Sequence, residues 1–269
     1  MPIATLNDLH LYFERAGSGR RLLYISGTGG DLRFQPNMFA SPLAKAFDLL
    51  AYDQRGLGRT DKPDAPYSMA QYADDAADLM HHVGWDDAVV IGVSFGGMVA
   101  QELALRHPAK VKRLVLACTS PGGAGGASFA FHDIEHLTGE ARAKHLIPIS
   151  DTRRDAAWAA AHPQDYATFV AMGATDPYAG EPGRAEGARR QLEARAAHDT
   201  WDRLPDIICP VLIAAGRYDG IALPATQDKM VARIPGAELQ WFDGGHMFMI
   251  QDRAAFPAII AFLNAGDAA

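Results

Sequence analysis

One hexapeptide restricts the folds open to this chain more than any other feature. It is Gly92-Val93-Ser94-Phe95-Gly96-Gly97, a G-x-S-x-G placed where the apolar run Ala88 to Val93 ends and a helical pattern running to His107-Pro108 begins. A serine at such a junction sits on a sharp strand-to-helix turn that throws its hydroxyl clear of the sheet. Glycines two residues to either side let the neighbouring backbone pass without a Cβ clash. Glycine-rich turns produce the bare motif by chance, so the strand-to-helix setting carries the inference. The turn predicts a φ of about +50 to +70° at Ser94, a region that a non-glycine residue occupies only where its surroundings impose it.

Such a turn needs parallel strands joined by helices, and the sequence supplies them. Leu22 to Ser26, Asp48 to Tyr52, Ala88 to Val93 and Val111 to Cys118 read as short strands separated by helical patterns. Between the second and third, Ser68-x-x-Gln71 has the form of a capping box, and Tyr72, Ala76, Leu79, Met80 and Val83 follow at helical spacing. Near the N-terminus, Ile3 to Leu6 and His10 to Arg15 flank Asn7-Asp8 like a hairpin, so the sheet is expected to be mixed. From Ser120-Pro121-Gly122-Gly123 to about Leu204 the chain turns rich in Ala, Arg and Glu at helical period. Val211 to Gly216 and Glu238 to Phe242 then resume strand character, and Ala254 to Asn264 reads as a closing helix. The expected class is α/β: a mostly parallel sheet flanked by helices, its core (1–121 and 205–269) split around an inserted helical cap (122–204).

A serine hydroxyl is a weak nucleophile and needs a base that a third group orients. Two loops after the last strands offer both. Asp219 stands in Arg217-Tyr218-Asp219-Gly220 and His246 in Asp243-Gly244-Gly245-His246, at the strand ends where open α/β sheets place their sites. Singly, a loop aspartate is often a turn former and a loop histidine an exposed residue. Their joint order and placement after Ser94 favour Ser94 as nucleophile, His246 as base and Asp219 as the orienting acid. Asp243 is the second candidate acid, although its turn position suits a backbone cap. Acyl transfer also requires donors for a developing oxyanion. The backbone N–H of Phe95 and one from the loop Ser26-Gly27-Thr28-Gly29-Gly30, with Thr28 as donor, are the expected pair.

These segments, together with Asp53-Gln54-Arg55-Gly56-Leu57-Gly58-Arg59-Thr60 and Pro63, resemble the α/β-hydrolase fold family. The similar subgroup includes 3-oxoadipate enol-lactonases and cofactor-free haloperoxidases. Family members more often open the oxyanion loop with His-Gly, where this chain has Ser26-Gly27. The resemblance implies hydrolysis of a carboxylic ester or lactone through an acyl-enzyme. The same machinery also serves enol-lactone hydrolysis, perhydrolysis and carbon-carbon bond hydrolysis, and the fold hosts small-molecule receptors that keep the triad. The stretch Asp53 to Thr60 reads as structural, with Asp53 and Arg55 satisfying backbone and each other.

The pocket is expected to be apolar. Met98 follows the serine, and Met247 and Phe248 follow the histidine, so these three are the expected substrate-binding side chains. Phe129, Phe131, Trp158, Phe169 and Met172 could extend the wall from the cap. Arg153, Arg154, Arg184, Arg189, Arg190 and Arg195 fall at nearly every helical phase, which reads as a solvated face and favours a neutral substrate over a carboxylate-bearing one.

Composition removes other classes. A net charge of -7 argues against nucleic acid, and no basic run points to a membrane. The two cysteines, Cys118 and Cys209, form no C-x-x-C, and Met1 to His10 lacks the pattern of a signal peptide, so a cytoplasmic protein is expected. The run His132-Asp133-Ile134-Glu135-His136 matches H-x-x-E-H but lacks an identifiable third ligand. Neither metal nor organic cofactor is expected, and the expected partner is a small-molecule ester or lactone.

Overall fold

The computed structural model describes residues 2–6 and 8–266. The strands in chain order are β1 (Ile3–Thr5), β2 (His10–Gly17), β3 (Arg21–Ile25), β4 (Asp48–Tyr52), β5 (Ala88–Val93), β6 (Val111–Ala117), β7 (Val211–Gly216) and β8 (Glu238–Phe242). They form one eight-stranded sheet in the order β1-β2-β4-β3-β5-β6-β7-β8. β1 runs antiparallel to β2 and β2 to β4, whereas every pairing from β4 to β8 is parallel. The expected mixed sheet is present; Asn7 of the expected hairpin turn lies outside the described residues, as does Met1.

The helices are α1 (Leu43–Ala46), α2 (Met69–His82), α3 (Phe95–Arg106), α4 (Gly139–Ser150), α5 (Ala156–Ala161), α6 (Pro163–Ala174), α7 (Arg184–Ala196), α8 (Pro224–Arg233), α9 (Phe248–Gln251) and α10 (Ala255–Asn264). The strand period of two sends alternate residues to opposite faces. Leu23, Ile25, Val90 and Leu116 join the core under α2 and α3, while Leu22, Tyr24, Val89 and Val115 join the core under α10. Covered on both faces, the central strands read as continuous apolar runs. α2 starts where the sequence predicts: the Ser68 hydroxyl accepts from Gln71 N and the Gln71 side chain accepts from Ser68 N. A cap of this kind contributes about 1 kcal/mol. Its buried face carries Tyr72, which packs edge-on against Phe95 of α3 with ring centroids 5.0 Å apart.

The loop Asp53 to Thr60 is a brace, with one correction to its expected pairing. Asp53 does receive backbone, accepting from Leu32 N at 2.7 Å and Arg59 N at 2.9 Å. Arg55 instead turns to α2 and the N-terminal hairpin, donating to Asp75 at 2.7 and 2.9 Å and to Asp8 at 3.0 Å. Burial pushes the Asp53 carboxyl up to about 6 despite its two N–H donors. A guanidinium with five donors can hold both carboxylates at once.

Segment 122–204 adds no strand to the sheet. Its polar helix α7 is not the solvated face that its arginines suggest. Arg184, Gly187, Arg190, Gln191, Ala194 and Arg195 form one buried stripe, because Gly187 lets the helix meet the loop at Gly56: a Cβ there would stand 2.0 Å from Gly56 O. Arg184 reaches Asp31 at 2.9 Å, and Arg190 donates to Pro63 O and Asp64. Among the described residues no helix is long and apolar enough to cross a membrane.

Candidate active site

The parallel strands β3, β5, β6, β7 and β8 all end at one edge of the sheet, and their following loops converge there. Ser94 caps β5 and opens α3 with φ 55° and ψ -115°. The strain expected of the turn is therefore present. Its flanking glycines are sterically required: a Cβ on Gly96 would lie 2.1 Å from Ile25 O, and one on Gly92 would lie 2.2 Å from Gly96 O. The Thr119 hydroxyl donates to Ser94 O at 2.7 Å and fixes the turn from the β6 side.

The structure brings Ser94, His246 and Asp219 together. His246 Nε2 lies 2.9 Å from Ser94 Oγ and Nδ1 lies 2.8 Å from Asp219 Oδ2. Asp219 is buried, and its other oxygen accepts from Ile221 N at 2.7 Å and Ala222 N at 2.9 Å. Asp243 is left out, being 71% exposed and paired with Arg153 at 3.0 Å. The two loops are tied together from outside the sheet by the end of α4. Ser150 O accepts from His246 N at 2.6 Å, Ile149 O accepts from Gly220 N at 3.0 Å, and Thr152 N donates to Tyr218 O at 2.9 Å. Sequence reasoning missed this clamp, since nothing local to residues 149–152 announces it.

The glycine loop after β3 lies against the serine: a Cβ on Gly27 would be 3.4 Å from Ser94 Cβ. Phe95 N is the first amide of α3, with no carbonyl available within the helix. Neither it nor Thr28 N finds an acceptor among the described residues. The Ser26 substitution in the loop has its own brace, because Gln54 Nε2 donates to Ser26 O at 2.8 Å and to Ser26 Oγ at 3.2 Å. Gln191 of α7 accepts from Gly29 N at 2.8 Å.

The expected pocket residues divide. Met98 is buried and lines a cavity of about 70 Å³ with Ser120, Phe129, Arg195 and His198. Phe248 does not face the site; it stacks on Phe242 at 5.0 Å in the core beneath α10, because α9 turns its apolar side inward. Met247 is 53% exposed and Met172 is 71% exposed, so Met172 adds no wall. Trp158 and Phe169 pack on each other and on Arg154.

Among the described residues, the group with metal-ligand spacing is Cys118, Asp219 and His246. Asp219 and His246 are already bonded to each other, and burial raises the Cys118 thiol well above its usual value, which keeps it protonated and a poor ligand. The H-x-x-E-H run is not a helix with paired histidines. Its first residues form a short 3₁₀ turn, Phe131–Ile134, and the run then leaves regular structure.

Residues 20–252 match the alpha/beta hydrolase fold family. RutD of Caulobacter vibrioides, a protein named for carbamate hydrolysis, is 31% identical, with 98% of each chain covered. The 3-oxoadipate enol-lactonase 2 of Acinetobacter baylyi is 26% identical, covering 94% of this chain and 92% of its own. In three dimensions the enol-lactonase from Burkholderia xenovorans LB400 is similar, with a TM-score of 0.78 at 25% identity over 97% of this chain and 99% of that one.

Proposed function

The chain belongs to the alpha/beta hydrolase fold family, and from that premise we propose that it is a serine hydrolase cleaving carboxylic esters or lactones through an acyl-enzyme. The observation that carries this reading is the unbroken relay Ser94 Oγ, His246 and Asp219, with contacts of 2.9 and 2.8 Å, built on a serine held at φ 55°. In the proposed reaction Ser94 Oγ attacks the carbonyl carbon and His246 Nε2 takes its proton. Asp219 holds the proton of Nδ1, so that Nε2 is the basic nitrogen. The oxyanion is received by the amides of Phe95 and Thr28, whose hydrogen bonds are unspent. Collapse expels the alkoxide, which takes the proton from His246. Water then attacks the acyl-enzyme with its proton passing to the same nitrogen, and Ser94 is released.

Segment 122–204 serves in this reading as a cap over the site, with Met98 on the pocket wall. The names of the enol-lactonase relatives support lactones beside open-chain esters. The relay would equally host perhydrolysis or carbon-carbon hydrolysis, and no contact in the site favours either. The test combines turnover and labelling. With p-nitrophenyl acetate the protein should complete many cycles per chain, and an organophosphonate should inactivate it at one equivalent on Ser94. Ser94→Ala should lower kcat by about 10⁴ to 10⁶ and abolish labelling. Undiminished turnover in Ser94→Ala would sink the mechanism, and a single slow cycle in the wild type would favour a receptor.

A further inference from the structure

Arg195 stands apart from the other buried arginines of α7. Arg184 and Arg190 each face a carboxylate, on Asp31 and Asp64. Arg195, 7% exposed, has no carboxylate partner among the described residues. It gives Nη1 to Phe129 O and Nη2 to Ser128 Oγ, both at 2.7 Å, and its buried Nε has no acceptor. Its guanidinium lies 4.5 Å from the centroid of the Phe131 ring, which offers electron density but no counter-charge.

Two further side chains on the same cavity wall are buried and unpaired. His198 is 5% exposed and neither ring nitrogen makes a hydrogen bond; Ser120 Oγ also lacks a partner. The Ser120 backbone stands near the imidazole, yet not with hydrogen-bond geometry. Buried polar groups are normally satisfied, so three unsatisfied ones around one cavity mark a place for a polar ligand atom. The cavity wall is connected to the turn that carries the serine. Met98, one helical turn past Ser94, forms part of its wall, and Ser120 follows Thr119, whose hydroxyl holds Ser94 O.

Resting on the serine hydrolase reading, we infer that the substrate carries a carboxylate and that Arg195, with His198 and Ser120, forms the subsite that receives it. The size fits: about 70 Å³ admits a carboxylate and a methylene or two. The charge fits as well. Burial lowers Arg195 only to about 10, so it stays cationic at neutral pH, while burial lowers His198 to about 4 and keeps that ring neutral. One positive charge with neutral donors beside it suits a monoanion, and the planar guanidinium suits a carboxylate. The solvated arginine face that favoured a neutral substrate is thus replaced by a buried, uncompensated cation.

The test uses matched pairs that differ only in charge. Wild-type protein is given monomethyl succinate and methyl succinamate, with methanol release as the readout. The inference expects kcat/KM to favour the anion by about tenfold or more. Arg195→Met should bring that ratio to about one and Arg195→Lys should restore part of it, whereas Arg189→Met, on the exposed face of α7, should leave the ratio unchanged. A second arm measures propanoate and propanamide binding to Ser94→Ala protein by calorimetry, expecting propanoate to bind about tenfold tighter or better. If neither ester is hydrolysed, the function reading fails while the binding arm still decides the subsite. Equal binding of propanoate and propanamide, or a wild-type preference for methyl succinamate, overturns it. If Arg195→Met does not fold, the wild-type ratio and the binding arm decide alone.

Discussion

At Asp219 the two carboxylate oxygens have separate tasks, one receiving the Ile221 and Ala222 amides and the other facing His246 Nδ1. This division makes the site sensitive to an isosteric change. In Asp219→Asn the amide oxygen would keep the two N–H donors and turn the NH₂ toward Nδ1, which forces the imidazole proton onto Nε2, where a base is needed. We therefore expect Asp219→Asn to lower kcat by about 10³ to 10⁴ with little change in melting temperature. Asp243→Asn, which alters an exposed ion pair with Arg153, should change kcat less than about threefold. The opposite ranking in steady-state assays would move the acid to Asp243. Ser94, Asp219 and His246 were legible because each sits in a glycine-bearing loop at a strand end. The choice of Asp219 over Asp243 rested on turn position alone, and the inward turn of one side chain and the outward turn of the other are seen only in the structure. Gln54 and Gln191, which hold the glycine loop after β3, have no local signature at all; they act across 28 and 162 residues of chain respectively.

At the scale of elements, the turn between β5 and α3 depends on how closely α3 approaches β3. A methyl on Gly96 would press on the Ile25 carbonyl at 2.1 Å, and backbone cannot move aside as a side chain can. Gly96→Ala should destabilise the protein by roughly 3 kcal/mol, at the upper end of ordinary overpacking. Gly180→Ala, with nothing within 4 Å, should stay within about 0.5 kcal/mol. Denaturant unfolding of the two variants separates them, and equal midpoints would refute the close-approach argument. The strands and α2 follow their sequence patterns because apolar burial and periodicity coincide there. In α7 they part: the buried stripe is made of arginine, glutamine, glycine and alanine. Its burial rests on ion pairs and close backbone approach, which hydrophobic periodicity does not register.

Across the whole molecule, the helical segment is fastened to the sheet by charge. Asp31 accepts from Arg33 at 2.7 Å and from Arg184 of α7 at 2.9 Å, and Arg33 also holds Glu181 at 2.8 Å. Burial alone would raise the Asp31 carboxyl, but hydrogen bonds from Arg33 and Arg184 bring it down to about 2. A lowered carboxyl stabilises the fold above its ordinary value of 3.8, and that contribution fades as pH falls toward 2. Asp31→Asn should therefore cost about 2 kcal/mol at neutral pH, with the gap to wild type narrowing below pH of about 4. Melts recorded from pH 7 to 3 check this, and a gap independent of pH would show that the charge is not what fastens the segment. The two ends of that segment meet where they leave the sheet. Thr200 N donates to Pro121 O at 2.8 Å, the Thr200 hydroxyl reaches Gln101 at 2.6 Å, and Gly122 bridges Asp199. To the sheet, everything between is a single closed loop that touches the site again at Ile149 to Thr152 and at Gln191. Heredity can therefore treat it as a cassette only on one condition: another sequence spliced between Pro121 and Thr200 must bring its own clamp for the Asp219 and His246 loops before it can bring a different appetite to the relay.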